Sequence, residues 1–504
     1  MALAGLGGFL SFLALPPVGA WPLAFVAPAL LILALRDGQT RRGVALGLTY
    51  GLIGYGFTLY WILLFGELAW ASLTLLAGLS TALFGGVFPI VQRHGRPLLT
   101  AFGVASLWTT IDWLRGLWPL GGFTWGSLGI SQVSNGVTVR VAVLAGVWGV
   151  TFLVVFIASL LADVASARRW DRGRLGSLGL AGLAVFAPIL IPFAGTTGGQ
   201  VDVAAIQVDF RDATRSPSRE AGDLAVTRAN IRLHRSLRER PPDLVIWGES
   251  ALDPASIEIL DEVQAEIAAV GAPVLAGSTS TDLSAPSGGG PLFNQAVVFD
   301  EEGMIRDIYR KTHLVPFGEF IPWRSVVGWI SALERIPYEL AAGDRLHTLS
   351  APGLPAFGTP ICFENAFPSL DRQLVRQGAR FLVVLTNNAS YGETAASAQH
   401  LQMSRMRAIE NGRWVVHAAI SGISAFIDPS GRSYQETGLF EPGVIRRTIR
   451  TSSDLTPYVR FGDWLPFATF AFTLGFGIWR TVARRTMRGS RDLALDQHTC
   501  VRSG

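Results

Sequence analysis

From Met1 to Leu35 the chain carries no charged residue, and this run is only the first of several. Pro16-Pro17 splits it in two, and Arg36 is its first stop. Further apolar stretches cover roughly 44–65, 69–91, 97–117, 138–162 and 176–195, with one more at 464–481. A bilayer core about 30 Å thick takes ~20 apolar residues of helix, and most of these stretches reach that length. The pattern therefore predicts eight membrane spans. The first stretch is short enough for a cleaved signal peptide, but it lacks a basic start and a second span follows at once, which favours a retained helix.

Arginine placement gives the orientation. Arg36, Arg41 and Arg42 share one connection, Arg93 and Arg96 another, Arg168, Arg169, Arg172 and Arg174 a third, and Arg480, Arg484, Arg485 and Arg488 begin the tail. The alternate connections near 66–68 and 118–137 carry none. With eight spans, all four basic segments fall on one side, so both termini are expected in the cytoplasm. The expected organisation is a seven-span membrane domain over 1–195, an extracytoplasmic domain over 196–463, an eighth transmembrane helix over 464–481 and a cytoplasmic basic tail over 482–504.

Composition narrows the classes further. Only 16% of residues are charged, against about 25% in an ordinary soluble chain, which argues against a purely soluble protein. A net charge of +4 is too small to suggest a nucleic-acid partner. Two cysteines make no disulfide framework, and without CxxC or HExxH no metal or other cofactor is expected. One count is more pointed: of the 42 basic residues all but one are arginine, and Lys311 is the single lysine.

The segment 196–463 reads as a soluble α/β domain. Short apolar strands such as VDVAAIQVD (201–209), DLVIWGES (243–250), APVLAGS (272–278), FGTPICFE (357–364), FLVVLTN (381–387) and WVVHAAI (414–420) are joined by polar helical stretches. The clearest helices are 217–239, 255–269 and 395–411. Strands alternating with helices imply a layered α/β architecture.

Three residues of that domain invite a chemical reading. Cys362 ends a strand-like run and precedes a helical stretch, where a helix N-terminus would favour thiolate; the other reading is a buried structural cysteine. Cys500 lies in the tail, on the opposite side of the predicted membrane, so the two cannot pair. Glu249 follows an apolar strand and either points into a site or caps the next helix. Lys311, in a chain that otherwise uses arginine, marks either a place where guanidinium is too large or too basic, or a chance survivor.

Glu249, Lys311 and Cys362 occur in that order at strand ends or loop edges of one domain, and in this they resemble the nitrilase superfamily, whose members use a Glu-Lys-Cys triad on an αββα sandwich. With spans on both sides of it, the chain resembles more narrowly the bacterial apolipoprotein N-acyltransferases. The resemblance is carried by WGESA (247–251), KTHLVPFGEF (311–320), ICFEN (361–365), QMSRMRAIENGR (402–413) and GISAFIDPSG (422–431), with LRGLWPLGGFTW (114–125) and LTPYVRFGDW (455–464) near the spans. It implies a multi-pass α-helical membrane domain plus an α/β nitrilase-like αββα sandwich.

By this resemblance Glu249 is the general base, Lys311 the oxyanion-stabilising cation and Cys362 the acyl-accepting nucleophile. Glu319 orients the lysine and the reacting groups, and Glu364 is a further acidic residue associated with activity. The implied reaction moves a fatty acyl chain from a membrane phospholipid, through a thioester, to the α-amine of a diacylated apolipoprotein. The implied setting is the bacterial cytoplasmic (inner) membrane, with the enzyme a monomer. The chain departs from the family where Phe363 replaces a usual tyrosine, and where Asn387-Asn388-Ala389-Ser390-Tyr391 replaces an N-D-A-W-like loop. A tryptophan frequent early in the outer domain has no counterpart in DFRDATRSPSRE (209–220).

Lipid contacts are read from the aromatic loops. The segment 316–340, with Trp323, Trp329 and Ile330, is apolar enough to be a helix packed on the core, and its tryptophans favour a lid over a lipid entrance. Trp118, Phe123 and Trp125 fit an interfacial aromatic belt, and Arg115 beside them is a weaker candidate for meeting a phosphate. Two other functions compete. A membrane-tethered nitrilase-type amidase hydrolysing a small amide would use the same triad but would need one span, not eight. A transporter would carry charges at mid-membrane, whereas Glu67 and Asp112 lie near span ends.

Overall fold

The structure is a computed structural model that describes residues 1–480 apart from 37, 94, 167–171, 212–214, 282, 284–289 and 328–338. Its N-terminal part is helical: α1 (Ala2–Leu13), α2 (Leu23–Ala34), α3 (Thr40–Thr58), α4 (Glu67–Val91), α5 (Pro97–Arg115), α6 (Ala142–Ala165) and α7 (Arg172–Phe186). Among the described residues three segments are long and apolar enough to cross a membrane by length and composition: Glu67–Val91, Thr138–Ala165 and Arg172–Leu190. α1 and α2 are apolar but have 12 residues each, so at 1.5 Å per residue neither alone matches a core of about 30 Å. Leu79, Leu83, Phe102, Leu183, Phe186 and Leu190 are all exposed on this region. Apolar surface on that scale suits a helix bundle in lipid, where every backbone group is satisfied inside its own helix.

Small residues bring these helices together. A Cβ on Gly47 of α3 would lie 2.0 Å from the Thr81 carbonyl oxygen of α4, and one on Gly43 would lie 2.2 Å from that of Gly85. Spaced four residues apart, Gly43, Gly47 and Gly51 form a groove that admits the α4 backbone, the way helices pack where no hydrophobic effect drives them together.

The second part is a four-layer sandwich. One sheet has the order β10-β1-β2-β3-β4-β5, with β1 (Gln200–Gln207), β2 (Leu244–Leu252), β3 (Val274–Ser280), β4 (Phe293–Phe299), β5 (Ile305–Arg310) and β10 (Gly443–Arg450). The other has the order β6-β7-β8-β9, with β6 (Leu382–Thr386), β7 (Val415–Ala419), β8 (Ala425–Ile427) and β9 (Ser433–Tyr434). Alternation along each strand sorts side chains between layers. Val203, Ala205, Leu244 and Ile246 face Val383, Leu385, Val416 and Phe426 between the sheets. Ala204, Ile206, Val245 and Trp247 face α8 (Arg219–Arg235) and α9 (Leu260–Val270). On the far side Leu382, Val384 and Val415 pack on α10 (Pro368–Arg376) and α11 (Ala396–Asn411). This is the expected αββα arrangement.

One expected strand is not regular. Residues 357–361 run beside β6 through isolated bridges, Gly358 with Leu382 and Ile361 with Leu385. Pro360 has no N–H to continue a ladder, and the chain turns at Cys362 into a 3-10 helix, Cys362–Ala366. The helix expected over 255–269 is divided likewise, with a 3-10 turn at Pro254–Ile259 ahead of α9.

The two parts are stitched together by α11. Its Gln399 accepts from Trp125 Nε1 at 2.7 Å and donates to the Pro16 carbonyl at 3.0 Å. Its Glu410 accepts from the Val147 backbone N–H at 2.5 Å. α6 is interrupted there at Ala145 and Gly146, so a carboxylate from the sandwich caps the second half of an apolar helix. A last helix, 464–480, returns to the helical part, with Thr469 Oγ1 accepting from Thr110 Oγ1 at 3.2 Å.

Candidate active site

Glu249 owes its position to a defect in β2. The register with β3 shifts between Trp247 and Leu252, and Ser250 has φ +62°. Such a bulge re-aims the side chain it carries. Gly277 lets the neighbouring strand approach, since a Cβ there would fall 2.5 Å from Glu249 Cα. The carboxylate is clamped at both oxygens. Asn294 Nδ2 donates to Oε1 at 2.7 Å, and the Asn387 backbone N–H donates to Oε2 at 2.6 Å.

Lys311 is the first residue beyond β5, and its N–H donates to the Asn294 carbonyl at 2.8 Å, extending the β4–β5 ladder by one step. Its side chain is 1% exposed and Nζ donates to Glu319 Oε1 at 2.9 Å. The same Asn294 Nδ2 that serves Glu249 also donates to Glu319 Oε1, at 2.9 Å. Glu319 Oε2 in turn accepts the Val315 N–H at 2.7 Å. One asparagine thus ties two carboxylates together, and one of those carboxylates holds the lone lysine.

Cys362 is buried, and its φ of +50° puts a residue with a Cβ in the left-handed region. Strain of that kind persists only where surroundings over-determine it. Glu364 supplies much of the determination. Fully buried, it accepts from the Ile361 N–H at 2.9 Å through Oε2, and through Oε1 from the Tyr309 hydroxyl at 2.7 Å, the Thr312 N–H at 2.9 Å, the Thr312 hydroxyl at 3.0 Å and the His313 N–H at 3.1 Å. It therefore pins the cysteine turn to the loop that carries Lys311. The geometry makes it a brace between the two, with its oxygens spent on backbone and hydroxyl donors.

The electrostatics differ from the sequence expectation at Cys362. A helix N-terminus was expected to favour thiolate. Instead burial, with Glu249 adding to it, pushes the thiol up to about 12 against the pull of Lys311. The adjoining helix is a five-residue 3-10 turn, too short to outweigh burial. Glu249 is itself raised, by burial first; Lys311 pulls it down, Glu319 adds to the rise, and the two amide donors oppose it. Burial works against the Lys311 ammonium, but Glu319, Cys362 and Glu249 outweigh it and hold the amine above its ordinary value. The resting site is therefore a neutral thiol beside a carboxylate of increased basicity and a fixed cation, the components of base-assisted nucleophilic attack.

Sequence reasoning missed several neighbours. Asn294 carried no signal, since an asparagine inside a strand-like run looks like any other polar residue. His400 of α11 approaches the Cys362 carbonyl at 3.1 Å and is held neutral by burial, with its pKa pushed down to about 4. Burial, with Cys362 and Glu249 nearby, holds the phenol of Tyr391, the last residue of the Asn387–Tyr391 stretch, well above its ordinary pKa. Among the described residues no three His, Cys, Asp or Glu side chains converge as a metal site would require.

The lipid-contact candidates separate. Trp118 is 75% exposed and Trp323 is 64% exposed, as interfacial side chains are. Trp125 is buried on α11 and Arg115 is turned inward, donating to Asp112 Oδ1 at 2.5 Å and to the Phe123 and Trp125 carbonyls at 2.6 and 2.9 Å. Arg115 therefore organises the loop 116–127 from inside rather than standing exposed on it. Trp329, Ile330 and Cys500 lie outside the described residues.

Two family models match the chain: the apolipoprotein N-acyltransferase N-terminal domain over residues 7–160 and carbon-nitrogen hydrolase over residues 247–456. The chain is 31% identical to the apolipoprotein N-acyltransferase of Azotobacter vinelandii, over 96% of this chain and 95% of that one. It is 30% identical to the enzyme of the same description from Pseudomonas syringae pv. tomato, over 95% of this chain and 96% of that one. An amidase from Nesterenkonia sp. aligns in space over 51% of this chain and 93% of its own, at 16% identity and a TM-score of 0.37, a likeness too slight to carry an argument.

Proposed function

Because the chain belongs to the apolipoprotein N-acyltransferase family, we propose that it moves a fatty acyl chain from a membrane phospholipid to the N-terminal α-amine of a diacylglyceryl-cysteine lipoprotein. The observation that carries this reading is the linked set Glu249–Asn294–Glu319–Lys311, with Asn387 joining Glu249 to the side of the sandwich that bears Cys362. Glu249 takes the Cys362 proton, and the sulfur attacks the donor ester carbonyl. An ammonium has three donors and Glu319 takes one, which leaves Lys311 able to meet the oxyanion. One such donor is commonly worth about 2.7–4 kcal/mol. As the ester C–O bond breaks, Glu249 returns its proton to the departing lysophospholipid oxygen. The lipoprotein amine then attacks the thioester carbonyl, Glu249 accepts the proton the nitrogen loses, and that proton passes to the Cys362 sulfur as the C–S bond breaks, leaving the amide and the free thiol.

The membrane arrangement belongs to the same proposal. With eight spans and the basic connections inside, the sandwich lies on the extracytoplasmic face, where both lipid substrates present their reactive ends. The exposed Trp118 and Trp323 support a site that opens at the bilayer surface. Domain limits at 195, 463 and 481 follow from the same span count.

The test is mass spectrometry of the Cys362 peptide after the purified protein meets phosphatidylethanolamine micelles. The expected result is an added acyl mass that disappears in Cys362→Ala and persists in Cys500→Ala. An adduct retained without Cys362 would overturn the nucleophile. A free fatty acid with no adduct at any time would favour simple hydrolysis.

A further inference from the structure

The turn that carries Cys362 is gripped from α11 as well as by Glu364. His400 Nε2 lies 3.1 Å from the Cys362 carbonyl oxygen, and that carbonyl belongs to the residue with φ +50°. The preceding residue, Gln399, is fastened to the helical part, accepting from Trp125 Nε1 at 2.7 Å and donating to the Pro16 and Thr58 carbonyls at 3.0 and 3.3 Å. Two adjacent residues of one helix therefore hold the helical part and the cysteine turn. The buried His400 ring is itself confined, by Trp125 at 6.0 Å between centroids and by His417 of β7, edge-on at 5.1 Å.

The hydrogen bonds fix the tautomer. A carbonyl oxygen can only accept, so His400 Nε2 carries a hydrogen. Burial keeps the imidazole neutral, with its pKa pushed down to about 4, and a neutral ring with its hydrogen on Nε2 has a bare Nδ1 that must accept. One end of the Asn388 amide faces Nδ1 at 3.2 Å, and the Thr386 hydroxyl lies at 3.4 Å. With the amide oxygen at that end, two acceptors meet and Asn388 Nδ2 is left without a partner. With the nitrogen there, Nδ2 donates to Nδ1 and to the Thr386 oxygen, 2.9 Å from the same end. An idle carbonyl oxygen is then the lesser burial cost. The only accepting nitrogen of His400 is thus taken by Asn388, which leaves Glu249 as the base for the thiol.

We infer that His400 is a positioning residue for acylation, whose Nε2–H, oriented by Asn388, holds the Cys362 carbonyl and thereby fixes where the sulfur stands relative to Glu249 and Lys311. No bond to His400 is made or broken in the reaction. It acts through the backbone of Cys362: a released carbonyl lets the residue relax from its left-handed conformation, and the Cβ and sulfur move with it. A misplacement of about 1 Å can slow a reaction about 100-fold. Donor binding does not pass through this bond, so the loss falls on the rate at saturation and not on the half-saturating donor concentration. The inference rests on Cys362 being the acyl-accepting residue proposed above.

His400→Leu and His400→Gln in the full-length protein are compared with wild type by single-turnover acylation of Cys362 across a range of phosphatidylethanolamine concentrations. Leucine fills the space without a donor and should lower the saturating rate by roughly 10- to 100-fold at an unchanged half-saturation point. Glutamine carries an N–H close to where Nε2 stands and should restore most of that rate. Asn388→Ala covers the case of a poorly folding leucine variant. It should slow the wild-type protein by roughly 3- to 10-fold, the worth of one hydrogen bond, but add little to His400→Gln, which has no tautomer to fix. A wild-type saturating rate in His400→Leu overturns the inference, as does a glutamine variant no faster than the leucine one, or a fully additive loss in the double variant. A change confined to the half-saturation point assigns His400 to donor binding and overturns it too. If wild type never forms an acyl adduct, the thioester reading fails and the positioning role with it; an adduct that wild type and the His400 variants form equally fast removes the inference alone.

Discussion

The Lys311 ammonium donates to Glu319 Oε1 at 2.9 Å, and Asn294 Nδ2 donates to that same oxygen at 2.9 Å while holding Glu249 at 2.7 Å. Charge state and position in the site therefore pass through one carboxylate oxygen. Lys311→Arg keeps the charge, but a planar fork draws Glu319 or Glu249 into a bidentate pair and cannot place one N–H where the ammonium sits. Cys362 acylation should fall at least ~100-fold, the lower end for losing an oxyanion donor. Yield and thermal stability should hardly change. Full single-turnover activity would remove the lysine from the mechanism.

Asn294→Asp replaces the shared donor with a third carboxylate. Glu249 must be ionised to act as base, and its pKa already lies above the usual carboxylate range. Activity is lost as pH falls through that raised value. A further like charge raises it again, so the acid limb of kcat/KM against pH should move upward by roughly one unit. An unmoved limb would separate Glu249 from the pH dependence.

Glu364→Gln tests the brace rather than the chemistry. An amide offers one oxygen, while five donors now converge on the carboxylate. Leaving buried donors unmatched should cost at least about 2 kcal/mol. Thermal unfolding and acylation should therefore decline together, unlike Lys311→Arg, in which only acylation falls. Wild-type melting with lost activity would give Glu364 a direct chemical part instead.

Gly47→Leu should disrupt the α3–α4 crossing, because even a Cβ would lie 2.0 Å from the Thr81 carbonyl oxygen. Overpacking of this kind typically costs about 1–3 kcal/mol. Reduced folded yield in detergent, measured by size-exclusion chromatography, is the expected outcome, and Gly176→Leu, at a position with open space, should serve as the tolerant control.

Orientation is a separate expectation from the arginine-bearing connections. An epitope after residue 38 should be protected in intact spheroplasts, and one after residue 240 should be accessible from outside. The reverse pattern would put the site on the wrong face for lipoprotein acceptors.

The sequence by itself determined the partition into apolar helices and an α/β segment, because hydropathy and strand alternation are local properties that each stretch displays alone. It also singled out Lys311 by composition and Glu249 and Cys362 by order and motif. Tertiary structure alone decided what surrounds them. Asn294 and Tyr391 join the site from β4 and the β6 exit loop, elements whose approach to β2, Lys311 and Cys362 is set by sheet order and helix packing. Arg115 and Trp125 looked like surface residues of an aromatic loop, yet α11 and Asp112 draw them inward. Even the state of Cys362 was misjudged from local pattern: a strand-to-helix turn suggests thiolate, but burial by distant layers pushes the thiol up to about 12. Desolvation depends on everything packed around a group, and that sum exists only once the chain has folded.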